Sequence, residues 1–211
     1  MKKRLFSILY MFVLTLCFTS MVSAVKYFNE ERIETNQRVK LQKIVLKVLG
    51  IPLRQKAADQ ELVKVFDARV KIIEAEGKDI YVGYEEDGQT VLGYAFPVEG
   101  PGVWGPVQGM AAVDPGAARI IGMAFYRHSE TPGLGGRISE DWFSNQFKGL
   151  PLSPVERDKK IFHLKPAGTG TRPNELDAIT GATGTSRAVE AFLNREINHF
   201  LAEFNVISER K

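Results

Sequence analysis

The chain has 211 residues, 44% of them hydrophobic, which is enough to bury the core of one ordinary domain and to leave an appendage. The formal net charge is +3. Four of the 28 basic residues and none of the 25 acidic residues lie before residue 29, so the rest of the chain carries 24 basic against 25 acidic residues. This balance gives no electrostatic support for nucleic-acid binding.

The chain begins with a basic cluster, Lys2 to Arg4, followed by an uncharged run from Leu5 to Val25. The run is about long enough to cross a bilayer, which takes roughly 20 residues. Because basic residues stay on the cytoplasmic side, a spanning segment here would place the rest of the chain outside the cytoplasm. A signal peptide ending at Val22-Ser23-Ala24 is the competing interpretation. The length of the run favours a retained anchor, which we assign to residues 1–28.

A helix is predicted from Glu30 to Leu49 and is ended by Gly50 and Pro52. Its apolar side chains share one face: Leu41, Ile44, Val45, Val48 and Leu49. The helix is either a stalk between anchor and domain or a surface helix packed on the core, and both descriptions can hold. We assign residues 29–58 to this stalk helix and a linker, and residues 59–211 to one domain.

After Gln60 the sequence has the alternation of strands. Lys78–Tyr84 and Thr90–Phe96 flank a polar turn and predict a hairpin. Val107–Val113 and Arg119–Tyr126 flank a turn with Pro and Gly and predict another. Adjacent hairpins without intervening helices predict an antiparallel sheet, and with helices at both ends the fold class is α+β.

One glycine-rich segment lies between the two hairpins and another follows the second hairpin. Gly100–Pro106 is too rich in Gly and Pro for regular structure, and its Trp104 is either a core plug, which the sequence alone favours, or an aromatic wall for a planar ligand. In Glu130–Gly136, closely spaced glycines allow backbone conformations that other residues avoid. Leu134 in this loop either contacts a ligand ring or plugs a tight turn.

Ser139 is predicted to cap a short helix that ends before Gly149. Residues 151–174 are expected to be mostly loop, with a short strand at Ile161–Leu164. The charged run Arg157–Lys160 is interpreted as a solvated turn, and Gly168–Thr171 as a flexible approach to the segment that follows.

The most informative stretch runs from Asp177 to Ser186 and leads into the clearest amphipathic helix of the chain. Apolar residues recur there at helical spacing: Val189, Phe192, Leu193, Ile197, Phe200, Leu201 and Phe204. The free amides of a first helical turn favour an anion such as phosphate, and the small residues Gly181, Ala182 and Gly184 let a ligand approach closely. On local physics alone, an ordinary N-cap and turn is the more common explanation.

Cysteine and histidine usage restricts the redox chemistry. The only cysteine, Cys17, lies in the N-terminal apolar run, so the remainder holds neither a disulfide nor a cysteine-ligated iron–sulfur cluster. His128, His163 and His199 lie far apart in sequence and lack the pairing of a zinc or haem site, so no metal is predicted. A redox group, if present, would be organic.

Two segments carry a resemblance to a known family. Asp177-Ala178-Ile179-Thr180-Gly181-Ala182-Thr183 resembles the Asp-x-x-(Ser/Thr)-Gly-Ala-Thr motif of the FMN-binding domain family, and Glu130–Gly135 is similar to its Glu-Thr-Pro-Gly-Leu-Gly loop. By pattern, the chain resembles the G subunit of the Rnf electron-transport complex and the C subunit of the sodium-pumping NADH:quinone oxidoreductase. The likeness covers essentially the whole chain.

The resemblance implies that a flavin transferase joins FMN through its phosphate to Thr183. Further residues are implied to bind the cofactor: Asp177, Thr180, Gly181, Ala182, Gly184, Thr185, Glu130, Thr131, Gly133, Leu134, Gly135 and Trp104. Arg127, His128 and Arg137 either stabilise an anionic reduced flavin or are solvated charges on a loop. The implied location is the inner membrane, with a single-pass anchor and the domain on the periplasmic side.

The function expected from this resemblance is an electron-transfer subunit of an ion-translocating membrane oxidoreductase, with other subunits of that complex as partners. The alternative is a self-standing extracytoplasmic flavoprotein or reductase, and a third reading is a binding or scaffolding module. No Ser-His-Asp set and no catalytic carboxylate pair is legible, so no bond-making chemistry on a substrate is predicted. Chain length favours the Rnf type, and the tryptophan loop with Gly135-Gly136 favours the quinone-reductase type.

Overall fold

The computed structural model describes residues 2–54, 58–75, 77–152 and 160–209. The chain divides into two compact units, Met1–Leu41 and Gln42–Lys211. The linker residues 55–57 and most of the charged run, residues 157–159, lie outside the described residues. The boundaries that we assign at residues 28 and 58 stay predictions.

The first unit is helical. Helix α1 runs over Lys2–Val48. Within its segment Arg4–Glu30, an 18-residue window has a mean hydropathy of 2.1, so the segment is long and apolar enough to cross a membrane. Among the described residues, no other helix meets this criterion. The helix predicted from Glu30 is therefore the continuation of the apolar segment, and it ends as expected before Gly50, whose φ is +74°.

The second unit is built on a five-stranded antiparallel sheet with the strand order β1-β2-β3-β4-β5. In chain order its first elements are α2 (Asp59–Arg69), β1 (Val70–Ala75), β2 (Lys78–Tyr84), β3 (Val91–Pro101), β4 (Pro106–Val113) and β5 (Ile120–Arg127). A short 3-10 helix, Gly135–Ser139, then precedes α3 (Asp141–Asn145), β6 (His163–Lys165), β7 (Glu175–Asp177) and α4 (Thr183–Glu209). β6 and β7 form a separate parallel pair. The predicted α+β class is confirmed.

Helix α4 lies along β3 in the opposite direction. Phe204 meets the ring of Tyr94 edge-on, and Phe200 stacks on Phe96 with 3.9 Å between ring centroids. Towards the other end, Phe192 occupies the space where a Cβ on Gly100 would lie 2.3 Å from its own Cβ. This alignment carries the N-terminus of α4 to the turn between β3 and β4.

The structure corrects several expectations. Asp59–Arg69 is helical where strand-like sequence was expected, because Leu62 and Phe66, four residues apart, are both buried on one helical face. β3 and β4 stay paired up to Pro101 opposite Pro106, so the irregular loop shrinks to residues 102–105. The two prolines face each other at the last pair of the ladder, where the missing donors cost little.

Two further expectations are wrong. Ser139 does not cap α3, because its hydroxyl donates to the carbonyl of Gly136 (2.9 Å). The Gly168–Thr171 run is not a loose approach, since the amide of Gly168 donates to Asp177 Oδ1 (2.8 Å). The predicted strand at Ile161–Leu164 is found slightly later, as β6.

Candidate functional site

Three segments meet around one open cleft: the β3–β4 turn, the loop after β5 and the start of α4. The cleft is open to solvent and has a cavity volume of about 170 Å³. It is lined by Val103, Trp104, Glu130, Thr131, Leu134, Gly135, Gly181, Ala182, Thr183, Gly184 and Thr185. The two sequence segments that carry the family resemblance are therefore brought together with the tryptophan turn.

The start of α4 presents free polar groups to this cleft. Thr183 is the first helical residue and is exposed, and its hydroxyl has no hydrogen bond among the described residues. The amides of Thr183, Gly184 and Thr185 likewise find no acceptor in the described part of the chain, as expected for a first turn. Gly181 has a φ of +79°, which lets the chain turn sharply into the helix.

The local turn is secured by Ser186. Its hydroxyl donates to the carbonyl of Ala182 (3.0 Å) and accepts from the amide of Ile179 (3.1 Å). Its own amide also donates to the carbonyl of Ala182 (3.0 Å). The hydrogen bonds that secure the turn are therefore made by Ser186 and not by Thr183. This leaves the Thr183 oxygen available for chemistry.

Exposed apolar side chains also line the cleft. Trp104 is 71% exposed, Val103 52% and Leu134 44%. Trp104 is thus not the core plug that the sequence alone favoured, because the β3–β4 turn points it away from the sheet. Val103 was not among the predicted site residues, and its place beside Trp104 in a four-residue turn is the signal that could have identified it.

Glu130 lies beneath the cleft and is only 4% exposed. Its Oε1 accepts hydrogen bonds from the amides of Val103 (2.8 Å) and Trp104 (3.0 Å), and its Oε2 accepts from the hydroxyl of Thr185. Burial by itself raises the pKa of Glu130, but these hydrogen bonds and the charge of His128 together outweigh it, so the pKa lies below its ordinary value. The carboxylate is therefore ionised at neutral pH.

Three predicted residues do not line the cleft: Asp177, Thr180 and Gly133. Asp177 exchanges backbone hydrogen bonds with the side chain of Gln146 (2.7 and 3.2 Å), in addition to accepting from Gly168. Its observed contacts hold together the segments that precede the turn into α4. Thr180 is exposed next to that turn, and Gly133 has a φ of +74°, so it shapes the Leu134 loop.

The charges that flank the loop also lie outside the cleft lining. Arg137 bonds to Glu140 and lies over the ring of Trp142 at 5.2 Å. Arg127 is exposed at the end of β5, and His128 is half-buried. Their proposed influence on a bound flavin stays a prediction.

Comparison with known proteins fits this geometry. Residues 102–198 match the family model described as the FMN-binding domain, a segment that begins in the tryptophan turn and includes the Leu134 loop and the start of α4. The match covers less than half of the 211 residues of this chain. The resemblance noted in the two sequence motifs is confirmed.

Relatives of this chain carry the names of two complexes. The chain is 32% identical over 108 residues to the C subunit of the Na⁺-translocating NADH-quinone reductase of Yersinia pestis, covering 51% of this chain and 41% of that protein. It is 35% identical over 112 residues to the G subunit of the proton-translocating ferredoxin:NAD⁺ oxidoreductase complex of Clostridium ljungdahlii. This alignment covers 53% of this chain and 54% of that protein. The chain thus spans about two-fifths to one-half of the length of these relatives.

The fold is shared with a solved structure. The crystal structure of NqrC from Shewanella oneidensis matches with a TM-score of 0.72 at 21% identity, over 83% of this chain and 99% of that one. At this level of identity the likeness concerns the fold alone.

The residues of the cleft suit FMN. Three free amides and a free hydroxyl at a helix N-terminus are suited to a phosphate ester. The exposed side chains of Trp104, Val103 and Leu134 offer a flat ring an apolar surface. The cleft therefore offers polar groups for the phosphate and an apolar surface for the ring.

Proposed function

We propose that this chain is the electron-transfer flavoprotein subunit of an ion-translocating membrane oxidoreductase and carries FMN covalently on Thr183. The observation that supports this best is the exposed hydroxyl of Thr183 at the start of α4, which has no hydrogen bond among the described residues and lies in the same cleft as Trp104 and Leu134. The names of the relatives support the choice of complex.

Each part of the cleft has a task in this proposal. The amides of residues 183–185 hold the phosphate oxygens, since the helix N-terminus favours negative charge. Trp104, Val103 and Leu134 pack on the ring and exclude water from it. Bound FMN supplies the electron-accepting chemistry, which the surrounding protein tunes.

Covalent attachment suits a site outside the cytoplasm. A noncovalent cofactor stays bound only while free ligand or slow dissociation keeps the site filled. We propose a flavin transferase with FAD as donor. The Thr183 oxygen bonds to the FMN phosphorus, the P–O–P bond of FAD breaks, AMP leaves, and a base of the transferase takes the hydroxyl proton.

In-gel fluorescence tests the attachment. The protein, co-expressed with a flavin transferase, should stay yellow and fluorescent after denaturing electrophoresis, with the mass of one FMN phosphoester. Thr183→Ala should lose the label and remain folded, whereas Thr183→Ser should keep part of it because the hydroxyl survives. The control is Thr169→Ala, which removes an exposed hydroxyl outside the cleft lining and should keep the label. A labelled Thr183→Ala protein would refute the assignment.

Membership of a complex is a separate part of the proposal. In detergent-solubilised membranes, the tagged chain should co-purify with several multi-span proteins. A labelled chain that purifies alone would instead support the self-standing flavoprotein or reductase.

The membrane topology rests on the basic cluster that precedes the apolar segment of α1. We propose a single-pass anchor with the domain on the periplasmic side. In a Cys17→Ala background, a cysteine introduced by Ala167→Cys at an exposed position should react with a membrane-impermeant thiol reagent on intact cells. Labelling only after lysis would contradict the proposed orientation and place the domain on the cytoplasmic side.

A further inference from the structure

Within the described part of the chain, the buried carboxylate of Glu130 makes all of its hydrogen bonds to other segments. Two of its donors are consecutive amides in the β3–β4 turn, at Val103 and Trp104. The other donor is the hydroxyl of Thr185 in the first turn of α4. One side chain therefore connects the aromatic wall of the cleft to the helix that carries Thr183.

Glycines on both sides make room for this carboxylate. A Cβ on Gly102 would lie 2.5 Å from Glu130 Oε1. A Cβ on Gly135 would lie 2.7 Å from Oε2 and 2.4 Å from the Thr185 oxygen. Neither position tolerates a larger residue unless the carboxylate moves, so the backbone of both loops is built around Glu130.

The energetics make this contact more than a space filler. A buried charge is costly unless it is well hydrogen-bonded, and here three donors satisfy it. Truncating the side chain would leave two amides and one hydroxyl without their acceptor in a cramped space. The β3–β4 turn would then lose its connection to α4.

We propose that Glu130 is a positioning residue of the flavin site, which holds the Trp104 turn in register with the first turn of α4. The inference rests on the proposed function, since it concerns how that site is kept open for the ring and the phosphate. Glu130 acts through Trp104 and Thr185.

Four variants of the full chain test this. Glu130→Ala removes the acceptor, whereas Glu130→Gln keeps one oxygen for the two amides and presents an NH₂ group to the Thr185 oxygen. Thr185→Val removes only the hydroxyl donor. Glu140→Ala, an exposed carboxylate beyond the same loop, is the matched control.

Two readouts need no flavin. In Glu130→Ala, hydrogen exchange at the amides of Val103 and Trp104 should accelerate at least about tenfold, while the β-sheet amides keep their protection. In a Trp142→Phe background, the fluorescence of Trp104 should change with the same variant. Glu130→Gln should restore most of both signals, and Glu140→Ala should change neither.

The labelled fraction with the transferase is the third readout. It should fall at least about fivefold in Glu130→Ala and recover to more than about half in Glu130→Gln, because the neutral side chain still accepts from both amides. Unchanged exchange and labelling in a folded Glu130→Ala protein would overturn the inference. If that variant does not fold, Thr185→Val is tested in its place. We then expect faster hydrogen exchange at the Trp104 amide, and an exchange rate equal to that of the wild type would overturn the inference. A wild-type protein that carries no label would refute the flavin assignment but not the role of Glu130, because the hydrogen-exchange experiment tests that role separately.

Discussion

Thr183 and Ser186 are hydroxyl residues one helical turn apart with opposite roles. Ser186 is buried and its oxygen is engaged twice, with Ala182 and Ile179. Thr183 is exposed and its oxygen has no partner in the described part of the chain. Because the turn is already secured by Ser186, modification of Thr183 need not break any bond that holds the helix start.

At the same scale, Glu130 predicts a pH dependence of stability. Its pKa in the folded protein lies below the ordinary value of 4.5, because the hydrogen bonds lower the pKa by more than burial raises it. A group with a lowered folded-state pKa stabilises the fold above the unfolded-state pKa, and this stabilisation is lost as the pH falls through the folded-state value. We therefore expect the difference in free energy of unfolding between wild type and Glu130→Gln to shrink as the pH falls below about 4.5.

Urea unfolding at a series of pH values from neutral to acidic measures this difference. Glu140→Gln serves as the control, since Glu140 is exposed. A wild-type advantage over Glu130→Gln that grows on acidification would contradict the assigned charge state.

At the scale of elements, α4 holds the segment that precedes the acceptor motif. Asn194 is buried in α4, and its Oδ1 accepts from the amides of Ile161 (2.6 Å) and Phe162 (3.3 Å), while its Nδ2 donates to the carbonyl of Phe162 (3.1 Å). The carboxylate of Glu190, one turn earlier, accepts from the amide of Leu164 (2.7 Å). These contacts fix the approach to β6, and through its pairing with β7 the position of Asp177.

This arrangement predicts unequal costs for two asparagines of the same helix. Asn194→Ala leaves two buried amides and a carbonyl unsatisfied, so we expect a loss of about 2–3 kcal/mol in the free energy of unfolding. Asn198→Ala should cost less than about 1 kcal/mol, because its buried Oδ1 has no partner among the described residues. Chemical denaturation of both variants measures the difference. Equal losses in the free energy of unfolding would argue against a stabilising role for the hydrogen bonds of Asn194.

For the chain as a whole, the end of α1 is part of the second compact unit. Five apolar residues near its end are buried, with exposures from 0% to 4%: Val45, Leu46, Val48, Leu49 and Ile51. The backbone of Val48 lies so close to β5 that a Cβ on Gly122 would be 2.1 Å from its carbonyl oxygen. The last turns of the helix therefore belong to the core of the sheet unit.

Truncation tests where the folding unit begins. We expect residues 42–211 to fold as a stable unit, because all of these buried contacts are kept. A chain starting at residue 59 should lose more than about 5 kcal/mol, since burying a large apolar side chain contributes about 1.5–3 kcal/mol. Thermal and urea unfolding of the two chains would decide, and equal stabilities would place the boundary at residue 58.

Much of the fold is predictable because its signals are local. The hairpins around residues 85–89 and 114–117 follow from alternating apolar residues and turn chemistry. The final helix follows from its apolar spacing. Helix α2 was missed because its signal is short, only Leu62 and Phe66 on the buried face. The extent of β3 was missed because prolines usually end strands, whereas here Pro101 and Pro106 pair with each other.

The amino-acid sequence by itself determined the class of this protein: a membrane-length apolar segment, an antiparallel α+β domain and the two motifs of the FMN-binding domain family. Only the tertiary structure decided which side chains do what. It freed the Thr183 hydroxyl, exposed Trp104 and buried the carboxylate of Glu130. The reason is physical, because the contacts of Glu130 join residues 26 to 55 positions apart, and such contacts depend on how α4 aligns along β3 and on glycines that allow close approach.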